Sequence, residues 1–378
     1  MLNDGHLKYE IVKRDGLARV GKIITPHGTI KTPAFIGAAT RATVKALTME
    51  QMRELGSQAI LANTYHLFLT PGAELLEQAG GLAEFSSWYG PTFTDSGGFQ
   101  IFSLPDVRIS EEGARFKSHI NGDKFEMTPE LSMETQWKIG ADIHMAFDHL
   151  AKSENHSDME EAMHRTHRWL ERCVDKHNKL YNEAVRNNKN EQYLYAVVQG
   201  GTFLDLRAES AKFAASQPVD GFGIGGVFTA EGMAEMLKVV NNILPENKPR
   251  HLLGMGQEPI DLFDGAENGC DTFDCVGPTR MARNGSLYTL DGRINIKNAK
   301  YKTDFTPIDT ECDCACCQKY TRAYLHHLFR TDEITAKILA SIHNEHFVVS
   351  TVDKIRQSLL DGTFAKYKKE FLDRYYSK

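Results

Sequence analysis

The sequence predicts an α/β fold, a (β/α)8 barrel with a cysteine-bearing subdomain near its C-terminal end. Three observations carry that expectation. Eight apolar, strand-like runs recur between residues 32 and 276, each followed by a stretch of helical character. The runs are nearly continuous in apolar residues rather than alternating, as strands covered on both faces must be. Past residue 290 the alternation stops, and four cysteines fall within CDCACC at 312–317.

In chain order the runs are TPAFIGAAT (32–40), QAILANT (58–64), PTFTDSG (91–97), ADIHMAFD (141–148), YLYAVVQG (193–200), VDGFGIGG (219–226), RHLLGMG (250–256) and CDTFDCV (270–276). Eight strands alternating with helices suggest a closed barrel, and an open doubly wound sheet is the structural alternative. Two helix starts have local signals. Thr128-Pro129 offers an N-cap followed by proline at the first helical position, and Ser157 with Glu160 reads as a capping box. No Gly-x-Gly-x-x-Gly stands at the first strand–helix turn and no phosphate loop is present, so no nucleotide cofactor is expected. The expected division is a catalytic barrel over 1–290, a zinc-binding subdomain over 291–350, and a C-terminal helix over 351–378 that completes the barrel.

At 378 residues, 41% hydrophobic and 25% charged, the chain has ordinary globular composition and can bury a large core. No apolar run approaches the roughly eighteen residues of a membrane helix, and the N-terminus lacks a signal core, so a cytoplasmic protein is expected. A net charge of −6 argues against a general nucleic-acid coat. One local excess remains: residues 280–330 hold nine Lys or Arg against five Asp or Glu.

Clustered thiols in a reducing compartment point to metal rather than disulfides. Cys312, Cys314 and Cys317 need a fourth ligand, and three thiolates with one imidazole form a closed structural zinc set. His343 can supply it. His326, His327 and His346 are alternatives by pattern, and the spacing leaves Cys316 open as a competing thiol.

The strands end on Asn63, Asp95, Asp148, Gln199, Gly226 and Asp274, positions that converge on the C-terminal face of a barrel. One carboxylate there can attack a carbon centre covalently, and a second can manage the proton of the leaving group. An Asp and a Gln together suit the edge of a purine-like base. The backbone amides of Gly225-Gly226 are expected to donate to a carbonyl oxygen. In CDTFDCVGPTRMARNG (270–285), Arg280 and Arg283 follow Asp274 beyond a Gly-Pro turn, as a clamp for something anionic would.

At these residues the sequence closely resembles the tRNA-guanine transglycosylases of bacterial type. The matching stretches are NTYHL (63–67), TDSGGFQ (94–100), VVQGG (197–201), GIGG (223–226), FDCVGPTRMARNG (273–285), CDCACCQKYTRAYLHHL (312–328) and HN (343–344). The resemblance implies a (β/α)8 barrel with a zinc subdomain. It also implies exchange of the wobble guanine of certain tRNA anticodons for a 7-deazaguanine base, through a covalent enzyme–RNA intermediate. Asp274 matches the nucleophile and Asp95 the general acid/base. Asp148, Gln199, Gly226, Ser96 and Gly225 match base-binding positions, and Arg280 and Arg283 match arginines holding the flanking uridines. The zinc ligands match Cys312, Cys314, Cys317 and His343, which leaves Cys316 a bystander. A homodimer is implied as well.

Three stretches depart from the family pattern. His149-Leu150 stands where Glu-Cys is usual, and VFTAEG follows Gly225-Gly226 where a Leu and smaller residues precede the glutamate matched by Glu231. Leu150, Val227 and Thr229 therefore bear on whether 7-aminomethyl-7-deazaguanine or queuine is taken. GMGQEP (254–259) has Gln257 and lacks the lysine often found there. No archaeal-type RNA-binding domain is expected after residue 378.

Overall fold

A computed structural model describes residues 6–151, 153–225 and 230–377. The chain begins with an antiparallel meander, β1 (Lys8–Asp15), β2 (Ala18–Thr25) and β3 (Gly28–Thr32). Then come β4 (Ala34–Ala38), β5 (Ile60–Ala62) and β6 (Thr92–Thr94). A second small antiparallel sheet follows, β7 (Arg108–Ile109), β8 (Ala114–Lys117) and β9 (Lys124–Met127). The chain continues through β10 (Ile143–Met145), β11 (Tyr193–Val198), β12 (Gly221–Ile224), β13 (Arg250–Leu252) and β14 (Thr272–Cys275). Strands β4, β5, β6 and β10 to β14 pair in parallel, and β14 closes onto β4 through Phe273–Phe35 and Asp274–Ile36. All eight sequence runs thus become the eight strands of a closed barrel, and the open-sheet alternative falls away.

Both faces of these strands are covered, which explains their unbroken apolar character. Ile36, Leu61, Phe93, Ile143, Met145, Tyr195 and Val197 fill one packed layer together with Ile23 and Ile30 of the meander. Neighbouring positions on the same strands, Phe35, Ile60, Leu194, Ala196, Val198 and Phe273, belong to the larger core shared with the helices. At the helix starts, Thr128 caps Pro129–Ile139, its Oγ1 accepting from the Leu131 amide at 3.2 Å. The expected Ser157–Glu160 box does not form. The helix His156–Arg186 begins two residues earlier than that box requires, with Asn155 as N-cap accepting from the Ser157 amide at 3.0 Å.

The meander and the β7–β9 sheet were not foreseen. Several of their strands carry charges that break the apolar run, and β8, ARFK, alternates buried and exposed residues. The C-terminal part also divides differently from the expectation. After the short pair β15 (Ser286–Leu287) and β16 (Ile294–Asn295), a helix spans Arg322–Arg330 and one long helix spans Ile334–Asp361. The boundary expected between residues 350 and 351 falls inside that long helix. Its first half packs Ala336, Leu339 and Ala340 into the small core of the cysteine region, with Leu287, Ile296 and Leu325. Its second half packs Val348, Val352 and Ile355 into the barrel's own core.

Candidate active site and metal centre

The strand ends do converge. Asp274 lies within β14, and its Oδ1 accepts from the Gly254 amide at 2.8 Å and meets His251 Nε2 at 3.1 Å. His251 is wholly buried beneath it, stacked on Phe93, with Nδ1 2.8 Å from Thr272 Oγ1. If that hydroxyl donates to Nδ1, Nε2 carries the hydrogen toward Asp274. Both contacts fall on one oxygen, and among the described residues Oδ2 has no hydrogen-bond partner. Neither His251 nor Gly254 was singled out from the sequence, since a buried histidine in an apolar run carries no local signal of its target.

Asp95 follows β6 directly. Its Oδ1 accepts from the amides of Thr64 at 2.9 Å and Gly97 at 3.0 Å, and its Oδ2 accepts from Asn63 Nδ2. Gly97 can turn its amide back because it sits at φ 79°, in the left-handed region that glycine tolerates. Asn63 has a double task, for its Oδ1 also caps the helix Thr64–Leu69. Burial pushes the Asp95 carboxyl up to about 7, opposed by those amide donors and reinforced by the Asp274 carboxylate.

Asp148, Gln199 and Ser96 form one linked group. Asp148 accepts from Ser96 Oγ at 2.8 Å and from Gln199 Nε2 at 2.6 Å. Burial raises the Asp148 carboxyl above its ordinary range, against the pull of those two donors. Gly225 stands beside them: a side chain there would meet Gln199 Nε2 at 3.4 Å and Leu253 at 3.2 Å. Its amide, expected to be free, is not. The parallel ladder continues past β12, so the Gly225 N–H donates to Val198 O at 3.2 Å and its carbonyl accepts from Arg207 at 2.6 Å. Gly226, Val227 and Thr229 lie outside the described residues. Leu150 is half-buried against the core, while the ring of His149 packs toward Phe102 and Trp169 and meets Arg165 at 3.1 Å.

Two features frame this mouth. Phe99, in the short helix after Ser96, is 63% exposed. The helix Gly277–Arg283 follows β14 and carries Arg280, exposed, and Arg283, half-buried, in its last turn. Burial lowers the Arg283 guanidinium's pKa, and Arg280 adds to that fall.

Away from the mouth, Cys312, Cys314, Cys317 and His343 draw together. Nδ1 of His343 lies 3.7, 3.6 and 3.3 Å from the three sulfurs. Tetrahedral coordination with metal–sulfur and metal–nitrogen bonds of about 2.3 and 2.0 Å places such atoms roughly 3.6 Å apart, so the group fits a metal ion. His343 Nε2 is held by the Tyr288 carbonyl at 2.7 Å, which leaves Nδ1 as the ligand atom. The competing residues have other partners, although His346 stays close to Cys312, within 4.8 Å together with Asp313. Cys316 is buried in the small core, His326 Nδ1 is 2.9 Å from Ile296 O, and His346 pairs with Asp313. No helix among the described residues is long and apolar enough to cross a membrane.

Acids gathered at the C-terminal ends of eight parallel strands are the arrangement through which barrel enzymes act, and fold and site together put this chain in that class. A family model described as Queuine tRNA-ribosyltransferase matches residues 15–377, and the chain belongs to that family. Curated relatives with the same description include one from Herpetosiphon aurantiacus, 46% identical over 97% of this chain and 92% of its own length. One from Bacillus subtilis is 44% identical over 98% and 96%. Another, from Streptococcus uberis, is 44% identical over 99% and 98%.

Proposed function

We propose that the chain is a tRNA-guanine transglycosylase of queuosine biosynthesis, exchanging the wobble guanine of GUN-anticodon tRNAs for a 7-deazaguanine base. The observation that carries the mechanism is Asp274: one oxygen is fixed by His251 and Gly254, and the other is without a partner at the barrel mouth. The free oxygen attacks the anomeric carbon of the target ribose as the bond to guanine breaks, and the carboxylate stabilises the developing oxocarbenium character and then traps it. The incoming base displaces Asp274 from the opposite face, the one guanine vacated, so two inverting displacements retain the configuration.

Asp95 handles the proton at N9 of the leaving and incoming bases, and a pKa of about 7 suits a group that must give and take a proton near neutrality. Asp148 and Gln199, with Ser96 behind them, read the base edge. The exposed ring of Phe99 offers a face for it to stack on. The guanosine must leave the anticodon stack to reach Asp274, and single-stranded loops permit that extrusion. Arg280 and Arg283 hold the neighbouring uridines. The Cys3His group holds one zinc, a structural ion whose four protein ligands leave no open position for chemistry. The family's homodimer is proposed here too.

Trapping tests the reaction. Wild-type protein mixed with unmodified tRNA and quenched by denaturant should yield a protein–RNA adduct, with guanine released when 7-aminomethyl-7-deazaguanine or queuine is supplied. No adduct and no guanine release would overturn the reading. Competition between the two bases decides which is taken. For the ion, elemental analysis should find about one zinc per chain, lost in Cys317→Ala and kept in Cys316→Ala.

A further inference from the structure

The triplet His343-Asn344-Glu345, on the long helix Ile334–Asp361, touches three different things. His343 belongs to the metal centre. Asn344 is wholly buried and ties down the arginine helix Gly277–Arg283 from both ends. Its Nδ2 donates to Pro278 O and Ser286 O, both at 3.0 Å, and its Oδ1 accepts from the Tyr288 amide at 3.2 Å. Glu345, one residue on, is only 1% exposed, and its Oε2 is buried with no hydrogen-bond partner. On the arginine helix, Arg283 Nη1 is likewise buried without a partner. The two side chains feel each other's charge: Arg283 pulls the Glu345 carboxyl back against the strong upward push of burial. Among the described residues, no other charged group opposes or assists it there.

A buried acceptor and a buried donor on two helices packed against each other, both unsatisfied, are costly to keep, by about 1–3 kcal/mol for each group. A leucine would occupy that buried position without the cost, so the pair invites a function. We propose that Glu345 is a positioning residue for Arg283, its Oε2 accepting from Arg283 Nη1 when an anticodon loop seats on the arginine helix. Closing that bond fixes one edge of the guanidinium and leaves the others aimed at the nucleotide beside the exchanged guanosine. The free protein holds the two partners poised, and the RNA completes the arrangement. Because Asn344 clamps the helix backbone, the movement required is of the Arg283 side chain alone.

The inference rests on Arg283 contacting RNA, as proposed above, and the test separates the two. Steady-state exchange is measured with an anticodon stem-loop on wild-type protein, Glu345→Leu, Glu345→Gln, Arg283→Ala and the Arg283→Ala/Glu345→Leu double variant. Loss of one charge-assisted hydrogen bond predicts that Glu345→Leu raises KM for the RNA about tenfold, with kcat within about twofold. Glu345→Gln keeps an acceptor oxygen and should stay near wild type. The double variant should be no worse than Arg283→Ala. Thermal unfolding of Glu345→Leu should occur at or above the wild-type temperature, which a merely structural glutamate would not allow alongside a KM defect. An Arg283→Ala variant with unchanged KM would overturn both this inference and the RNA-contact reading. A raised KM in Arg283→Ala with unchanged KM in Glu345→Leu would overturn this inference alone. Should the leucine variant fail to fold, Glu345→Met and Glu345→Gln give the same comparison.

Discussion

The barrel has acids at both ends, and the contrast between the two sets is sharpest between Asp271, paired with Arg19, and Asp274, which keeps one oxygen free. At the N-terminal end, Asp142, Asp220 and Asp271 stand one residue before β10, β12 and β14, and every carboxylate oxygen is filled. Asp271 accepts from Tyr9 Oη at 2.6 Å, Arg19 Nε at 2.9 Å and the Arg250 amide at 2.7 Å, and pairs with Arg19 Nη2 at 2.5 Å. Asp220 accepts from the amides of His6 at 2.5 Å, Leu7 at 3.0 Å and Leu194 at 2.9 Å. Asp142 accepts from the Thr92 amide and meets His27 Nδ1, each at 2.8 Å. These acids tie the meander to the barrel floor. At the C-terminal end, Asp95, Asp148 and Asp274 have neutral partners, His251 apart, and no Lys or Arg of the described residues pairs with them. Saturated acids hold a structure together. Acids left short of charge compensation, one of them with a free oxygen, keep their reactivity.

Paired substitutions at the two ends test that contrast. The largest effect should come from Asp274→Asn, which removes the attacking oxygen while His251 and Gly254 can still be satisfied. Exchange should fall by a factor on the order of 10^4–10^6 with the unfolding temperature within a degree or two of wild type. Asp95→Asn should follow, with turnover down by about 10^2–10^4. Its stability carries a sign of its own. A carboxyl raised from 3.8 to about 7 binds protons more tightly folded than unfolded, so wild-type stability declines as pH rises across that window and levels off above it. Asp95→Asn should lessen the decline, to which Asp148 also contributes, and be the more stable protein at pH 8, as urea titrations at pH 4, 6 and 8 would reveal.

At the opposite end the readout reverses. Asp271→Asn leaves Arg19 buried without its counter-charge, and denaturation should report a loss of about 3–5 kcal/mol with turnover per folded molecule unchanged. The smallest effect is expected from His27→Ala, because the ring is partly exposed and such pairs contribute about 0–1 kcal/mol. The hydrogen bond to Asp142 raises the His27 pKa, so that contribution is complete below about 6.5 and disappears as pH rises through the folded value. Parent and variant should therefore differ at pH 6 and coincide at high pH.

The long helix marks where reading the sequence stops. Three cysteines at short spacing demand a fourth ligand of known chemistry, which left His343 among four candidate histidines until the family resemblance singled it out. Glu345, two positions on, carried no such signal: a charged residue on a helix is ordinarily solvated, and only the folded structure shows it to be buried. Asn63 was seen at a strand end, yet its bond to Asp95 required knowing that β5 and β6 are neighbours. The Gly225 amide was misjudged for a similar reason, since the ladder that consumes it is a property of the β11–β12 register.

By itself the sequence determined the eight strands, the acids at their ends, the arginines after β14 and the cysteine cluster of the metal site. Each of these is written in local periodicity or in spacing set by side-chain chemistry. The tertiary structure alone decided that the barrel closes. It also decided which oxygens are saturated and which charges lie buried together. Those properties depend on contacts between residues distant along the chain, such as Asp274 with Gly254 or Glu345 with Arg283, and no local pattern encodes what a side chain will meet once the barrel has closed around it.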